Sequence, residues 1–172
     1  MKTQKLRSMV LLAGAVTLFG IGAAHAAVQT VTSSIKFLAD IAVSMNITPN
    51  FGSVKAGQAG TYVLSTAGTV TASGGGVKEG GSPAAGSYTI TGSSSQAINI
   101  TDGNYVANGA STPSAAKCKY GAGSEVSCTN LNVAAPGAGG TILLVGLTVT
   151  TTALGADNQT DHPAFDLTVV YQ

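Results

Sequence analysis

The chain has 172 residues, a formal net charge of +1 and only 9% charged residues, against about 25% in typical soluble domains. It lacks the basic stripe with which nucleic-acid-binding proteins contact phosphates, so we expect no nucleic-acid partner. Hydrophobic residues make up 44% of the chain, enough to form a buried core, which argues against disorder.

The first 26 residues have the pattern of a secretory signal peptide. Three basic residues precede an almost unbroken apolar run over residues 9–24, and Ala24 and Ala26 supply the small side chains that signal peptidase requires. The alternative, a membrane anchor, is disfavoured because the run is short and no second apolar run of about 20 residues follows. Cleavage after Ala26 would give a 146-residue protein with no membrane span, secreted or held at the surface of a bacterium via the periplasm.

The segment after the leader alternates between apolar and polar side chains from residue 31 to residue 47. Such a run would extend about 55 Å as one strand, whereas ordinary strands span about 17–20 Å. We therefore predict two segments divided near Asp40. An N-terminal arm or first strand occupies residues 27–39, and a single domain occupies residues 40–172.

Short strands separated by glycine-rich turns fill the middle of the chain. A loop is predicted over residues 73–86, because so many glycines disfavour a strand. Residues 87–91 and 96–101 flank a short turn and predict a β-hairpin. We find no amphipathic helix. The pattern predicts an all-β fold, an immunoglobulin-like or pilin-like antiparallel β-sandwich with Gly-rich loops.

Cys118 and Cys128 predict a disulfide that brackets a second hairpin. Both follow the leader, so they would meet an oxidising environment, and Gly121 and Gly123 allow a turn between them. A redox pair is disfavoured, because it would need the closer C-x-x-C spacing.

Two further strands are predicted near the carboxyl end. "TILLVGLTV" at residues 141–149 is the most apolar run after the leader, and it predicts a fully buried strand with a bulge at Gly146. "AFDLTVVYQ" at residues 164–172 alternates strictly and predicts a strand with one apolar face. A strand at an edge leaves backbone groups unpaired on one side, and such edges attract other strands.

The chain offers few groups suited to catalysis. His162 is the one histidine after the leader, and it lies in a polar loop. Asp157, Asn158 and Asp161 do not have the spacing of a calcium-binding loop. We therefore expect no enzyme activity, no metal site and no cofactor.

The stretch "NITPNFGSVKAGQAGTYVLSTAGTVTASGG" resembles the start of a family of secreted bacterial proteins known as domain of unknown function 4402. Residues 51–54, Phe-Gly-Ser-Val, and the Gly-Thr pair at 60–61 carry the likeness. "SYTITG" and the two carboxyl-terminal strands resemble later parts of that family. The resemblance implies a secreted or surface β-sandwich without enzymatic activity.

The alternating carboxyl end with Tyr171 as its penultimate residue also resembles chaperone–usher pilus subunits. In that family, the N-terminal arm of one subunit completes the sandwich of its neighbour, as in donor-strand complementation. The resemblance implies copies of the chain, sister pilus subunits and a periplasmic chaperone as partners. It also implies a donated face of Val31, Ile35 and Phe37, and an acceptor or chaperone-binding edge of Phe165, Leu167, Val169 and Tyr171.

Two functions remain open at this point. The chain could be a structural subunit of a fibre or surface layer that assembles by strand exchange. Alternatively, its arm could pair within its own chain, which would give a secreted monomeric adhesin or binding module. The contact surface would then be loops 73–86 and 102–116, since loops carry function on β scaffolds.

Overall fold

The computed structural model describes Thr30 and residues 32–172. Two compact units are distinguished, Met1–Ile35 and Lys36–Gln172. In the first, the described residues belong to no helix or strand. The predicted signal peptide over residues 1–26 and Val31 lie outside the described residues. The second unit confirms the predicted all-β fold, with antiparallel sheets and no helix in its residues.

The strands of the second unit follow one another in chain order as listed next. They are β1 (Ala42–Ile47), β2 (Ser53–Val54), β3 (Gly60–Leu64), β4 (Val70–Ser73), β5 (Lys78–Gly80), β6 (Gly86–Thr91), β7 (Ile98–Val106), β8 (Ser111–Tyr120), β9 (Val126–Ser127), β10 (Leu131–Val133), β11 (Thr141–Thr151) and β12 (Ala164–Tyr171). The run over residues 31–47 is thus a strand only from Ala42 onward among the residues described.

Strand β11 is the centre of the larger sheet. Its first half pairs with β6 and its second half with β3 along one edge, while β8 pairs along the other edge. Strands β1, β4 and β9 extend the sheet through β6, β3 and β8 respectively. The sheet is therefore organised around the apolar run that the sequence singles out.

Gly146 marks the place where β11 changes partner. A Cβ there would lie 2.2 Å from the backbone oxygen of Leu64, so only glycine allows the close approach of β3. The predicted bulge at Gly146 is wrong, because the ladder with β8 is irregular between Leu147 and Val149 instead. The glycine signal reflects close backbone packing, which is the other common reason for glycine in a strand.

A second sheet has the strand order β10-β7-β12, and a small third sheet pairs β2 with β5. The predicted hairpin between residues 87–91 and 96–101 is therefore wrong, since β6 and β7 belong to different sheets. Ile90 and Ile98 are both fully buried in one core. The turn between them carries the chain from one sheet to the other. Because of this crossing, both side chains are buried in the same core.

The main core lies along β11, where Leu143, Val145, Leu147 and Val149 are buried. The prediction of a fully buried strand is wrong, because the alternate residues face outward and Ile142 is 43% exposed. Leu144 and Thr148 on that face are half-buried and Thr150 is exposed, so burial largely alternates along the strand despite its apolar composition.

The predicted disulfide between Cys118 and Cys128 is confirmed, and it closes the β8–β9 hairpin. Inside the closed loop, the carboxylate of Glu125 accepts bonds from both the hydroxyl and the backbone N–H of Thr66, each at 2.7 Å. These bonds hold the pKa of Glu125 below its usual value. The disulfide loop is thereby tied to the turn between β3 and β4.

Candidate functional site: an open strand position beside β12

Strand β12 forms one edge of the smaller sheet. In the described part of the chain, β12 pairs with β7 on one side and with no strand on the other. The backbone N–H of Gln172 donates to the carbonyl of Ala97 at 3.1 Å. Residues in an antiparallel ladder alternate in direction, so even-numbered residues of β12 bond to β7. The odd-numbered residues direct their N–H and C=O groups toward the open edge.

The predicted acceptor residues are these odd-numbered residues. Phe165, Leu167, Val169 and Tyr171 are only half-buried, although all four pack against the main core. In each of these residues, the backbone groups point toward the open edge and the apolar side chain is only partly covered. A further strand along this edge would pair the backbone groups and bury the side chains.

Strand β1 in the facing sheet shows the same lack of cover. Val43 lies opposite the fully buried Ile90, and Met45 lies opposite Tyr88. Residues directly opposite each other point to the same face of a sheet, so both side chains point to the core side. Yet Val43 is 40% and Met45 61% exposed. The layer that should cover them is missing from the described residues.

At one end of β12, Tyr171 contacts the segment that precedes β1. Its hydroxyl accepts from the backbone N–H of Ser93 and donates to the carbonyl of Ala39, both at 2.5 Å. A Cβ on Gly92 would lie 2.7 Å from that hydroxyl and 3.4 Å from Cγ1 of Ile41. Glycine is required here because the tyrosine and the start of β1 close tightly over the turn.

At the other end of β12, Ala164 and Phe165 line a cavity of about 1020 Å³. Phe51, Leu147, Val149 and Phe165 provide apolar walls, and polar residues of the loop before β12 line the rest. We call the free edge of β12 from Tyr171 to Phe165, together with the uncovered side chains of Val43 and Met45 on β1, the open slot.

Phe165 stacks on Tyr105, with ring centroids 5.6 Å apart and ring planes inclined by 20°. The hydroxyl of Tyr105 donates to Asp102 and accepts from the backbone N–H of Ala116. Burial, then the bond to Asp102, raises the pKa of Tyr105 to about 12. Burial opposes ionisation of Asp102, but bonds from Tyr105 and Thr129 leave its pKa below the usual value.

The prediction that residues 102–116 form a loop is wrong. Strand β7 continues to Val106 and β8 begins at Ser111, so only a short turn separates them. Asn104 adopts a positive φ of 47°, which allows an irregularity without ending the strand. Loop 73–86 likewise contains β5.

The loop before β12 uses its polar groups internally. Asp161 accepts from the side chain of Gln159, the backbone N–H of Ala110 and the hydroxyl of Ser111. The bond from Gln159, followed by those from the turn, lowers the pKa of Asp161. His162 donates its backbone N–H to Asn108 at 2.8 Å. These residues join two loops, and among the residues described no His, Cys, Asp and Glu cluster could hold a metal ion.

Of the predicted donor residues, Ile35 is 78% and Phe37 is 83% exposed. Residues 32–41 form no strand. The side chain of Lys36 donates to the carbonyl of Ser95 and to Gln96, both at 3.1 Å at the surface.

Sequence reasoning missed the contribution of β1 and of Phe51 to the slot. The alternation over residues 31–47 already placed Val43 and Met45 on an apolar face, but it does not show whether another strand packs on that face.

No protein-family model, curated protein or solved structure matches this chain. Within residues 32–172 and Thr30, no helix has the length and apolarity needed to span a bilayer.

Proposed function

We propose that the chain is an exported structural subunit of a bacterial surface fibre, of the pilin-like β-sandwich type and related to the family of domain of unknown function 4402. A strand donated by another copy fills the open slot. In this proposal the chain is not an enzyme. Its partners are copies of itself or sister subunits, together with a periplasmic chaperone that covers the slot before assembly.

The observation that carries the proposal is the coincidence of two unsatisfied surfaces at one place. Among the residues described, the outer edge of β12 has no strand partner, and Val43 and Met45 on β1 point to the core side yet are exposed. Exposed edges of this kind associate with other strands unless they are protected. A single inserted strand would satisfy both surfaces.

The N-terminal arm has the properties of that strand. Ile35 and Phe37 alternate with polar residues and are exposed in the single copy. Burying them would contribute about 1.5–3 kcal/mol each. Backbone bonds to β12 would add to this, and the entropy lost on ordering the arm would oppose it. Removing the apolar side chains of the arm should therefore weaken association.

Light scattering after size exclusion tests the proposal. Residues 27–172 should form concentration-dependent assemblies, whereas a chain lacking residues 27–38 should remain monomeric. The double variant Ile35→Asp/Phe37→Asp should also remain monomeric, because it cannot bury charge in the slot. The matched control Thr32→Asp/Ser34→Asp changes the other face of the arm and should still assemble.

A peptide of residues 27–38 should bind the truncated chain and raise its melting temperature. Monomers of every form at high concentration, with no peptide binding, would contradict strand exchange. That result would instead favour the secreted monomeric binding module.

A further inference from the structure

We propose that the incoming arm belongs to a second copy of this chain and runs antiparallel to β12, with Phe37 opposite Phe165 and Lys36 opposite Asp166. This inference rests on the proposed function and adds the direction and register of the strand. It makes the Lys36–Asp166 pair a determinant of which arm fits.

The shape of the slot favours this direction. Tyr171 and Ile41 pack closely around Gly92 at one end of β12, whereas Phe165 at the other end lines a cavity of about 1020 Å³. Phe37 has the largest side chain on the alternating face of the arm. The antiparallel register brings Phe37 to the cavity end. A parallel strand with Phe37 on Val169 would leave the small Ser33 beside the cavity.

Charge complementarity favours the same register. Once Phe37 lies opposite Phe165, Lys36 lies opposite Asp166 on the solvent face. Asp166 is exposed and engages only the side-chain amide of Asn104, at 2.9 Å, among the hydrogen bonds described. Opposite charges directly across a strand pair are stabilising, and like charges are destabilising. In the parallel alternative, Lys36 would face the uncharged Thr168.

The ladder of β12 makes this pair accessible to cross-linking. Even-numbered residues of β12 bond to β7, so Asp166 would form a non-hydrogen-bonded pair with the incoming Lys36. Such pairs have Cα atoms about 4.5 Å apart, within the range of about 4.4–6.8 Å for disulfides. Among the residues described, Lys36 makes only the surface bonds to Ser95 and Gln96, which are readily exchanged for water.

Disulfide trapping between variants that each carry one added cysteine tests the register. A mixture of Lys36→Cys with Asp166→Cys chains, under mild oxidant, should form a cross-linked dimer at least tenfold faster than Lys36→Cys with Thr168→Cys. Cys118 and Cys128 are buried and paired with each other, so they should not interfere. Equal rates, or faster trapping at Thr168, would overturn the proposed register.

Charge exchange provides a second readout. Lys36→Asp and Asp166→Lys should each weaken self-association by roughly two- to fivefold. The combined variant should recover most of the affinity, because the pair is restored with its sign reversed. Absence of recovery would overturn the role of the pair.

These outcomes separate the register from the proposed function. Arm-dependent assembly without the expected trapping would overturn the register alone. Assembly that persists after deletion of residues 27–38 would overturn strand exchange, and the register with it.

Discussion

Removing the hydroxyl of Tyr105 should destabilise the fold, whereas removing that of Tyr120 should not. The Tyr105 hydroxyl donates to the Asp102 carboxylate and accepts from the backbone N–H of Ala116 at 2.9 Å. The Tyr120 hydroxyl is buried and has no hydrogen-bond partner in the described residues. The two tyrosines therefore form a matched pair, one in β7 of the smaller sheet and one in β8 of the larger sheet.

The expected magnitudes follow from the partners of each hydroxyl. Tyr105→Phe loses a bond to the charged Asp102 carboxylate and one acceptor of the Ala116 N–H, which should cost about 1.5–3 kcal/mol. Tyr120→Phe removes a polar atom that was buried without compensation. Its free energy of unfolding should stay within about 0.5 kcal/mol of the wild type or rise above it.

Equilibrium urea denaturation with the disulfide intact measures both changes. The chain has no tryptophan, so the transition is best followed by circular dichroism. Tyr105→Phe should lower the midpoint with an unchanged slope, since the change affects stability and not the extent of unfolding. Equal losses for the two variants would refute the reasoning.

Three further predictions concern other contacts. Cys118→Ala/Cys128→Ala should lose about 3 kcal/mol of stability, and reduced wild type should unfold at the midpoint of that variant. Gly146→Ala should cost about 1–3 kcal/mol, because its Cβ meets backbone, whereas Gly139→Ala, with nothing within 4 Å, should be neutral. The pKa of Glu125 is lowered in the fold, so its contribution is present above its unfolded pKa and lost as the pH falls through the folded value. Glu125→Gln should therefore be less stable than wild type at pH 7 but not at pH 2, a difference that denaturation midpoints at both pH values would show.

Local periodicity was sufficient to predict strands that keep one face apolar. The alternation from Phe165 to Tyr171 gives β12 directly, and the spacing of Cys118 and Cys128 gives the disulfide hairpin. Both are short-range features, so a linear sequence contains most of the information that specifies them.

Partner choice between strands could not be predicted in the same way. The turn residues after β6 do not reveal whether the chain stays in one sheet or crosses to the other. That depends on which arrangement buries Ile90 and Ile98, and both belong to a core formed by distant segments. The contact of Tyr105 with Phe165 likewise depends on the register of β7 and β12.

The same limit applies to the open slot. The sequence predicted an edge strand and an alternating arm, but the exposure of Val43 and Met45 becomes visible only once β1 is placed on β6. Whether a strand position is vacant depends on how the strands pair, and the local sequence does not contain that information.

The most direct test of the open slot places the missing strand in the same molecule. Appending a short Asn-Gly-containing turn and residues 30–38 after Gln172, in a chain lacking residues 27–38, would let the arm fold back antiparallel to β12. The account predicts a monomer that no longer binds arm peptide and is more stable than the truncated chain by a few kcal/mol, since Ile35 and Phe37 become buried. A chain with unchanged stability, or one that still binds the peptide, would contradict the existence of a vacant strand position.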